Sequence, residues 1–280
     1  MPSPDRFLLF RLWGPMASWG QIAIGEQRQT WTRPSRSAVL GLVAAAQGIE
    51  RSNAAVHTAL EARTGFAVRV DDAGRPLRDY HTAQAPVPER GRRWQTRRDE
   101  IVGAKARSTK LSDRDYVTDM SAVVALWQRL DDNDDLAAIA DRLRRPVFTL
   151  YLGRKACPLG HPLRPRLVLT SDLSTAFREF DAYESQEKAQ RDEYLEESRS
   201  KAKRRYLEPD RVPDLRARVW TDGEFQPRRE HQIWLDTADV DLLPAAGRPV
   251  HTQRRDRIVD RRTWSFGDRR ETCVTIGGEE

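Results

Sequence analysis

The fifteen residues from Tyr151 to Pro165, YLGRKACPLGHPLRP, restrict the fold more than any other stretch of this chain. Pro158 and Pro162 lack an N–H and clash with a preceding helical turn, so the segment is no helix interior. Tyr151, Leu152, Leu159 and Leu163 make it too apolar for a plain linker. It reads as a structured loop. Gly153 and Gly160 permit a positive φ or a close approach of backbone to a ligand. Arg154 and Lys155, beside Gly153, suit phosphate or another anion. A surface loop with scattered charges has the same composition, and the stretch alone does not separate the two.

A chain of 280 residues accommodates one large domain or two moderate ones with a full core. Charged residues make up 32%, against 39% hydrophobic, with a net charge of +6. Only six of the 48 basic residues are Lys. An Arg excess arises from a GC-rich genome, and it also suits bidentate phosphate recognition and stacking on bases. The basic residues cluster: eight lie between Arg90 and Lys110 with only two acids, and further runs span Arg199–Arg205 and Arg248–Arg270. Clusters of this kind are the footprint of a nucleic-acid binder. The alternative is a set of solvated faces paired with acids such as Asp131, Asp132, Asp134 and Asp135. Cys157 and Cys273 are far apart and in no metal-ligand spacing, which fits a reducing cytoplasm and argues against a disulfide scaffold. With no metal-ligand cluster, P-loop or Rossmann fingerprint in the sequence, no metal or cofactor is expected. FLLF at 7–10 is flanked by Arg6 and Arg11 with no cleavage site, so no signal peptide is expected. No apolar run is long enough for a bilayer, so no membrane partner is expected.

In chain order, Arg6–Trp13 reads as a buried strand ended by Gly14-Pro15. A loop carrying Trp19, Gln21 and Trp31 follows. Ser35–Gln47 is a helix, with Pro34 and Ser35 as start signals and Gly48 as a stop. Its N-terminus with Arg36 and Ser37 offers a phosphate site, unless Arg36 simply pairs with a carboxylate. Ala54–Arg63 is a second, short helix. Phe66–Val70 alternates like a strand, and Asp71-Asp72-Ala73-Gly74 predicts a hairpin turn returning through Arg75–His81. Pro86–Lys110 loses apolar periodicity and carries Trp94 among its arginines, as a finger-like hairpin or a disordered arm. Interleaved Arg and Trp suit backbone contact with base stacking. VVALW within Tyr116–Trp127 is a buried strand. Leu136, Ile139, Ala140 and Leu143 mark one helix face. Phe148–Leu152 is extended and Leu167–Thr170 is a strand. The order β-α-β-(insertion)-β-α-loop-β is ferredoxin-like, an α+β fold. Glu184–Arg205 is a solvated helix or a linker. Gln232–Asp236, Ile258–Phe266 and Thr272–Ile276 are strand-like, giving a smaller β-rich portion near 210–280. The expected domains are 1–180, the core, and 181–280, a charged linker with that β-rich portion.

Several stretches together resemble the CasD family, the handle-binding subunit of the type I-E CRISPR surveillance complex Cascade. They are GPMASWGQ at 14–21, PSRSAVLGLVAAAQGI at 34–49, LRDYHT at 77–82, VALW at 124–127 and YLGRKACPLGHPL at 151–163. They cover about the first 165 residues. The chain beyond about Ser171 matches much less clearly.

The resemblance implies a ferredoxin-like, RNA-recognition-motif-like core of the RAMP type, with a protruding thumb and a glycine-rich loop. Family members hold the 5′ handle of the CRISPR RNA, cap the filament of backbone subunits, touch the large subunit and serve DNA targeting indirectly. A different subunit cuts the precursor. Carried over, the thumb is about 82–118 and the glycine-rich loop 151–165. The expected RNA-binding residues are Trp19, Gln21, Arg36, Ser37, His81, Arg92, Arg93, Trp94, Arg97, Arg98, Tyr151, Gly153, Arg154, Lys155 and His161, with none catalytic. Single-stranded RNA is read by stacking and by contacts to base edges and 2′-hydroxyls. The rival reading is a metal-independent repeat endoribonuclease using Tyr80 with His81, or Lys155 with His161. Such an enzyme needs a base at the 2′-hydroxyl and a cation at the scissile phosphate.

Overall fold

The computed structural model describes residues 5–20, 25–88, 90–129, 135–205, 230–243, 248–260 and 265–277. Strand β1 is Phe7–Trp13. Four two-residue strands follow: β2 (Met16–Ala17), β3 (Trp19–Gly20), β4 (Gln27–Arg28) and β5 (Thr30–Trp31). Helices α1 (Arg36–Gln47) and α2 (Ala54–Arg63) lead into β6 (Thr64–Asp72) and β7 (Arg75–Pro86). Next come α3 (Arg97–Val102), β8 (Arg107–Thr118), β9 (Ser121–Gln128), α4 (Asp135–Arg144), β10 (Arg166–Val168) and the long α5 (Leu173–Arg205). Strands β11 (Glu230–Asp236), β12 (Val250–Asp260) and β13 (Ser265–Gly277) close the chain.

One antiparallel sheet runs β10-β1-β9-β6-β11-β13-β12. Alternation along the strands sends apolar residues to both faces. Leu8, Phe10, Leu12, Phe66, Val68, Val124 and Leu126 face α1 and α4. Phe7, Leu9, Val123, Ala125 and Trp127 face the start of α5, through Leu173, Ala176, Phe177 and Phe180. Helix α4 turns Leu136, Ile139, Ala140 and Leu143 inward, the face its spacing predicts. Ser35 caps α1, its Oγ accepting from the Ala38 N–H at 3.1 Å. The strands expected at 210–280 lie in this same sheet, because β11 pairs with β6. Ile258–Phe266 is not a single strand: its two ends belong to β12 and β13, with 261–264 outside the described residues.

The predicted turn at Asp71–Gly74 is a corner, not a hairpin turn. β6 pairs with β9 and β11, while β7 pairs with β8 along its whole length, from Arg75↔Thr118 to Pro86↔Arg107. Thus β6–β7 and β8–β9 form one long bent hairpin that leaves the main sheet near Gly74 and Asp119. Gly74 has φ 73°, and a Cβ there would lie 2.3 Å from the Thr118 carbonyl oxygen. Glycine lets the two chains cross at that point. Beyond it, the hairpin forms an arm in a second sheet with β2 and β4.

Ion pairs supplement the apolar packing on both faces of the main sheet, where Ile233, Leu235 and Val274 of the outer strands join the α5-side core. On the α1 face Arg269 donates to Asp236 at 2.6 Å, Asp256 at 2.8 and 2.9 Å, and Glu271 at 2.6 Å. Arg33 also donates to Glu271. On the α5 face Arg69 binds Asp71 and Asp181, and Arg11 binds Asp71 and Glu184. Burial pushes the Asp71 carboxyl up, but Arg69 and Arg11 outweigh it and hold it below its ordinary value. Asp236 is held down likewise by Arg269, Arg36 and Arg129 against burial. The stabilisation is complete above the ordinary carboxylate value of about 3.9 and is lost as the pH falls through the lower folded values. Thermal unfolding from pH 7 to 3 should show a midpoint that drops below about pH 4. A midpoint flat across that range would contradict this assignment.

Candidate nucleic-acid interface

The loop 151–165 is folded tightly on the strand segments before α1. Leu152 N–H donates to Cys157 O at 2.7 Å and Ser18 N–H to Leu152 O at 3.0 Å. Gly153 has φ 85°, and a Cβ there would lie 1.8 Å from the Ser18 carbonyl oxygen. Gly160 donates to Trp13 O and lies against the Trp13 ring. The close approach that these glycines allow is therefore to the chain's own backbone and a tryptophan. Gly153 N–H is itself taken by Tyr151 O at 3.1 Å. What the loop presents outward is Tyr151, 41% exposed, and the exposed Lys155.

Arg154 is not a free cation for phosphate. Its guanidinium donates to Asp115 O at 3.2 Å and Arg28 O at 2.7 Å, and lies 4.8 Å from the Tyr116 ring centroid. It fastens the loop to the root of the arm, at β8 and β4. Arg154→Ala should cost about 1–3 kcal/mol of stability. Lys155→Ala should stay within about 0.5 kcal/mol and lower only RNA affinity. Denaturant unfolding beside RNA titration checks both, and an equal stability loss in the two would refute the distinction.

Three other expected contacts are structural. Trp19 is 2% exposed and packed in the core, so its ring cannot stack on a base. Arg36 is 5% exposed. It donates to Thr64 O at 2.8 Å and to the Glu61 carbonyl, and sits 3.6 Å from Asp236. The capping site of α1 is filled by Ser35, whose Oγ lies 3.0 Å from that of half-buried Ser37. Arg254 of β12 donates to Pro34 O and Arg33 O, covering this end of the helix. Among the described residues this helix end offers no open phosphate site. Gln21 lies outside the described residues.

The arm keeps its charges outward. Arg92, Arg93, Arg97 and Arg98 are exposed at its tip. Arg97 is tied to Glu100 at 2.5 Å and to Gln84 O. Trp94 is half-buried, with Arg92 4.1 Å from its ring centroid and Gly103 against its edge, so it anchors the tip. Directly opposed strand residues share a face. His81 opposes Ser112, Ala83 opposes Lys110 and Asp79 opposes Arg114, which puts His81, Lys110 and Arg114 on one side. The even spacing of Lys110 and Arg114 along a strand is the sequence signal for that shared face. The third basic run is mixed: the Arg254 and Arg269 side chains are tied into ion pairs within the sheet, while Arg248, Arg255, Arg257 and Arg270 are exposed.

Of the residues considered for cleavage, Tyr80 and His81 are successive on β7 and point to opposite faces. His161 is stacked on Trp13, with centroids 5.6 Å apart and planes at 12°. Its Nδ1 lies 3.1 Å from Pro162 O. Among the described residues no group of three His, Cys, Asp or Glu could hold a metal ion. None of the described helices is long and apolar enough to cross a membrane.

Comparison with known proteins decides the family. A family model described as CRISPR-associated protein (Cas_Cas5) matches residues 7–270. The chain belongs to the CRISPR-associated Cas5 family. Over 183 residues it is 34% identical to the CRISPR system Cascade subunit CasD of Escherichia coli (strain K12), covering 62% of this chain and 77% of that one. Its fold is similar to a chain of a CRISPR RNA-guided surveillance complex, with a TM-score of 0.56 and 23% identity over 98% of this chain and 90% of the other. A second solved structure, of a Cas protein, gives a TM-score of 0.49 at 20% identity, over 96% and 94% of the two chains. Within this Cas5 chain, the arm and the loop fastened to its root carry exposed basic residues, as does the end of α4 with Arg142, Arg144 and Arg145.

Proposed function

We propose that this Cas5-family chain is a non-catalytic subunit of a type I-E Cascade complex that holds the 5′ handle of the CRISPR RNA. It caps the backbone filament, meets the large subunit, and serves DNA targeting in the cytoplasm without touching a membrane. The observation that carries the reading is the clamp of Arg154 on Asp115 O and Arg28 O. It unites the loop 151–165 and the root of the arm into one surface offering Tyr151, Lys155, His81, Lys110 and Arg114. Residues 1–180 form the RNA-holding part, with a ferredoxin-like core of the RAMP type. The spatial order β10-β1-β9-β6 supports this, being fourth, first, third and second of the four core strands. The arm serves as the thumb, and its strands begin at Arg75, ahead of the expected 82. Phosphate contacts supply affinity, and the bases held near the loop supply specificity.

The test uses purified protein and labelled repeat RNA without added metal, on native and denaturing gels. The expected result is intact RNA and a salt-sensitive shift that requires the 5′ handle. Cleavage at one site, abolished by His81→Ala or His161→Ala, would replace this reading with a processing endoribonuclease.

A further inference from the structure

On the α1 side of the sheet lies a cavity of about 290 Å³ that the clamp, the loop and the arm do not use. Its floor is a row of residues set by register: Val70 of β6 and Thr275 of β13 both pair with Gln232 of β11. Trp234, two residues along β11, faces the same way. Its ring is pinned by Arg33, whose guanidinium carbon lies 3.4 Å from the ring centroid and whose Nε also donates to Glu271 at 3.2 Å. Gln232 and Thr275 are exposed, although α1 and α4 cover this face elsewhere. Trp234 packs against the α1-side core, and beside it Gln232 and Thr275 leave an amide and a hydroxyl open.

We propose that this cavity takes one unpaired base of the RNA held by the chain. The proposal rests on the RNA-holding reading above. The lining chemistry selects the ligand. Trp234 and Val70 give apolar flanks, while Gln232 offers both a donor and an acceptor, with the Thr275 hydroxyl beside it. That combination suits a flat ring with a hydrogen-bonding edge. Among the described residues no carboxylate lines the cavity, so the lining does not select a cation. Arg33, the lining cation among the described residues, is committed to Glu271 and Trp234, so it is not a phosphate cradle. The volume sits at the lower end for small-ligand sites, roughly 300–1,000 Å³, enough for one base and too small for two stacked nucleotides. Position agrees as well. Ala73 lines the cavity next to Gly74, where the chain leaves the sheet for the arm. A strand gripped at the root of the arm passes this opening.

The test is an abasic scan. Handle-bearing RNAs, each lacking one base, are titrated by fluorescence anisotropy against the wild-type chain and against Gln232→Ala/Thr275→Val. Both substitutions are at exposed positions, and circular dichroism confirms the fold. Wild type should lose about tenfold in affinity at one position. The double variant should bind intact RNA several-fold more weakly and lose little more at that same position. If wild type binds handle RNA and the two scans are parallel at every position, the pocket proposal is wrong while the functional reading stands. If wild type does not bind handle RNA at all, the functional reading falls, and the pocket proposal with it.

Discussion

Arg269→Ala should lower stability by about 3–5 kcal/mol, because it strands several buried carboxylates at once. The guanidinium carries hydrogen bonds to Asp236, Asp256 and Glu271. Without it, burial acts on three acids, and Arg129, Arg36 and Arg33 compensate only in part. The loss should appear as a thermal midpoint lower by on the order of 10 °C. The neighbouring Arg270 is the control. It sits one residue along β13, is exposed, and points to the other face. Arg270→Ala should stay within about 0.5 kcal/mol. Equal shifts in the two variants would mean that the network does not hold the outer strands. Arg269→Met should recover little, since it fills volume but leaves the carboxylates unpaired.

That network also explains which parts of the molecule could be read from the sequence. The extents of β1 and α1 are legible because local signals fix them, an apolar run and the Ser35 cap with the Gly48 stop; VVALW marks the core of β9, while Tyr116–Thr118 belong to β8. The outer strands were legible only in pieces. In Gln253–Asp260 and Gly267–Glu271 the buried face is Arg254, Asp256, Arg269 and Glu271, so apolar alternation is absent where the strand is most buried. The basic run 248–270 mixes such paired arginines with the exposed Arg248, Arg255, Arg257 and Arg270, and its composition does not tell them apart. Partner identity was illegible for a different reason. Arg33 and Glu271 are 238 residues apart, as are Arg154 and Arg28 by 126, and a guanidinium looks the same in sequence whether it faces solvent or a carboxylate. For Arg36 both readings were open, and burial decided for the structural one. Gly153 was flagged correctly as special, but its close neighbour proved to be Ser18. The corner at Gly74 was hidden because a turn signal reports a change of direction and not which strands pair afterwards.

The largest functional effect should come from the arm. The triple variant Arg93→Ala/Arg98→Ala/Lys110→Ala removes three charges, two at the tip and one on the strand face shared with His81. All three side chains are exposed. Stability should therefore change by about 1 kcal/mol or less in total. RNA binding should change much more. For single-stranded RNA, each phosphate contact contributes about 0.7 to the slope of log affinity against log salt. Loss of three should flatten that slope by about 2, with affinity near 150 mM salt down by roughly 10–100-fold. The slope is the decisive readout, because misfolding would lower affinity without selectively removing its salt dependence. Trp94→Ala makes the useful contrast. Trp94 is packed against Arg92 and Gly103, so its loss should loosen the tip and weaken binding at an unchanged slope near the root. A triple variant that keeps the wild-type slope would show that the arm does not track the RNA backbone, and would move the electrostatic contact to the loop at Lys155.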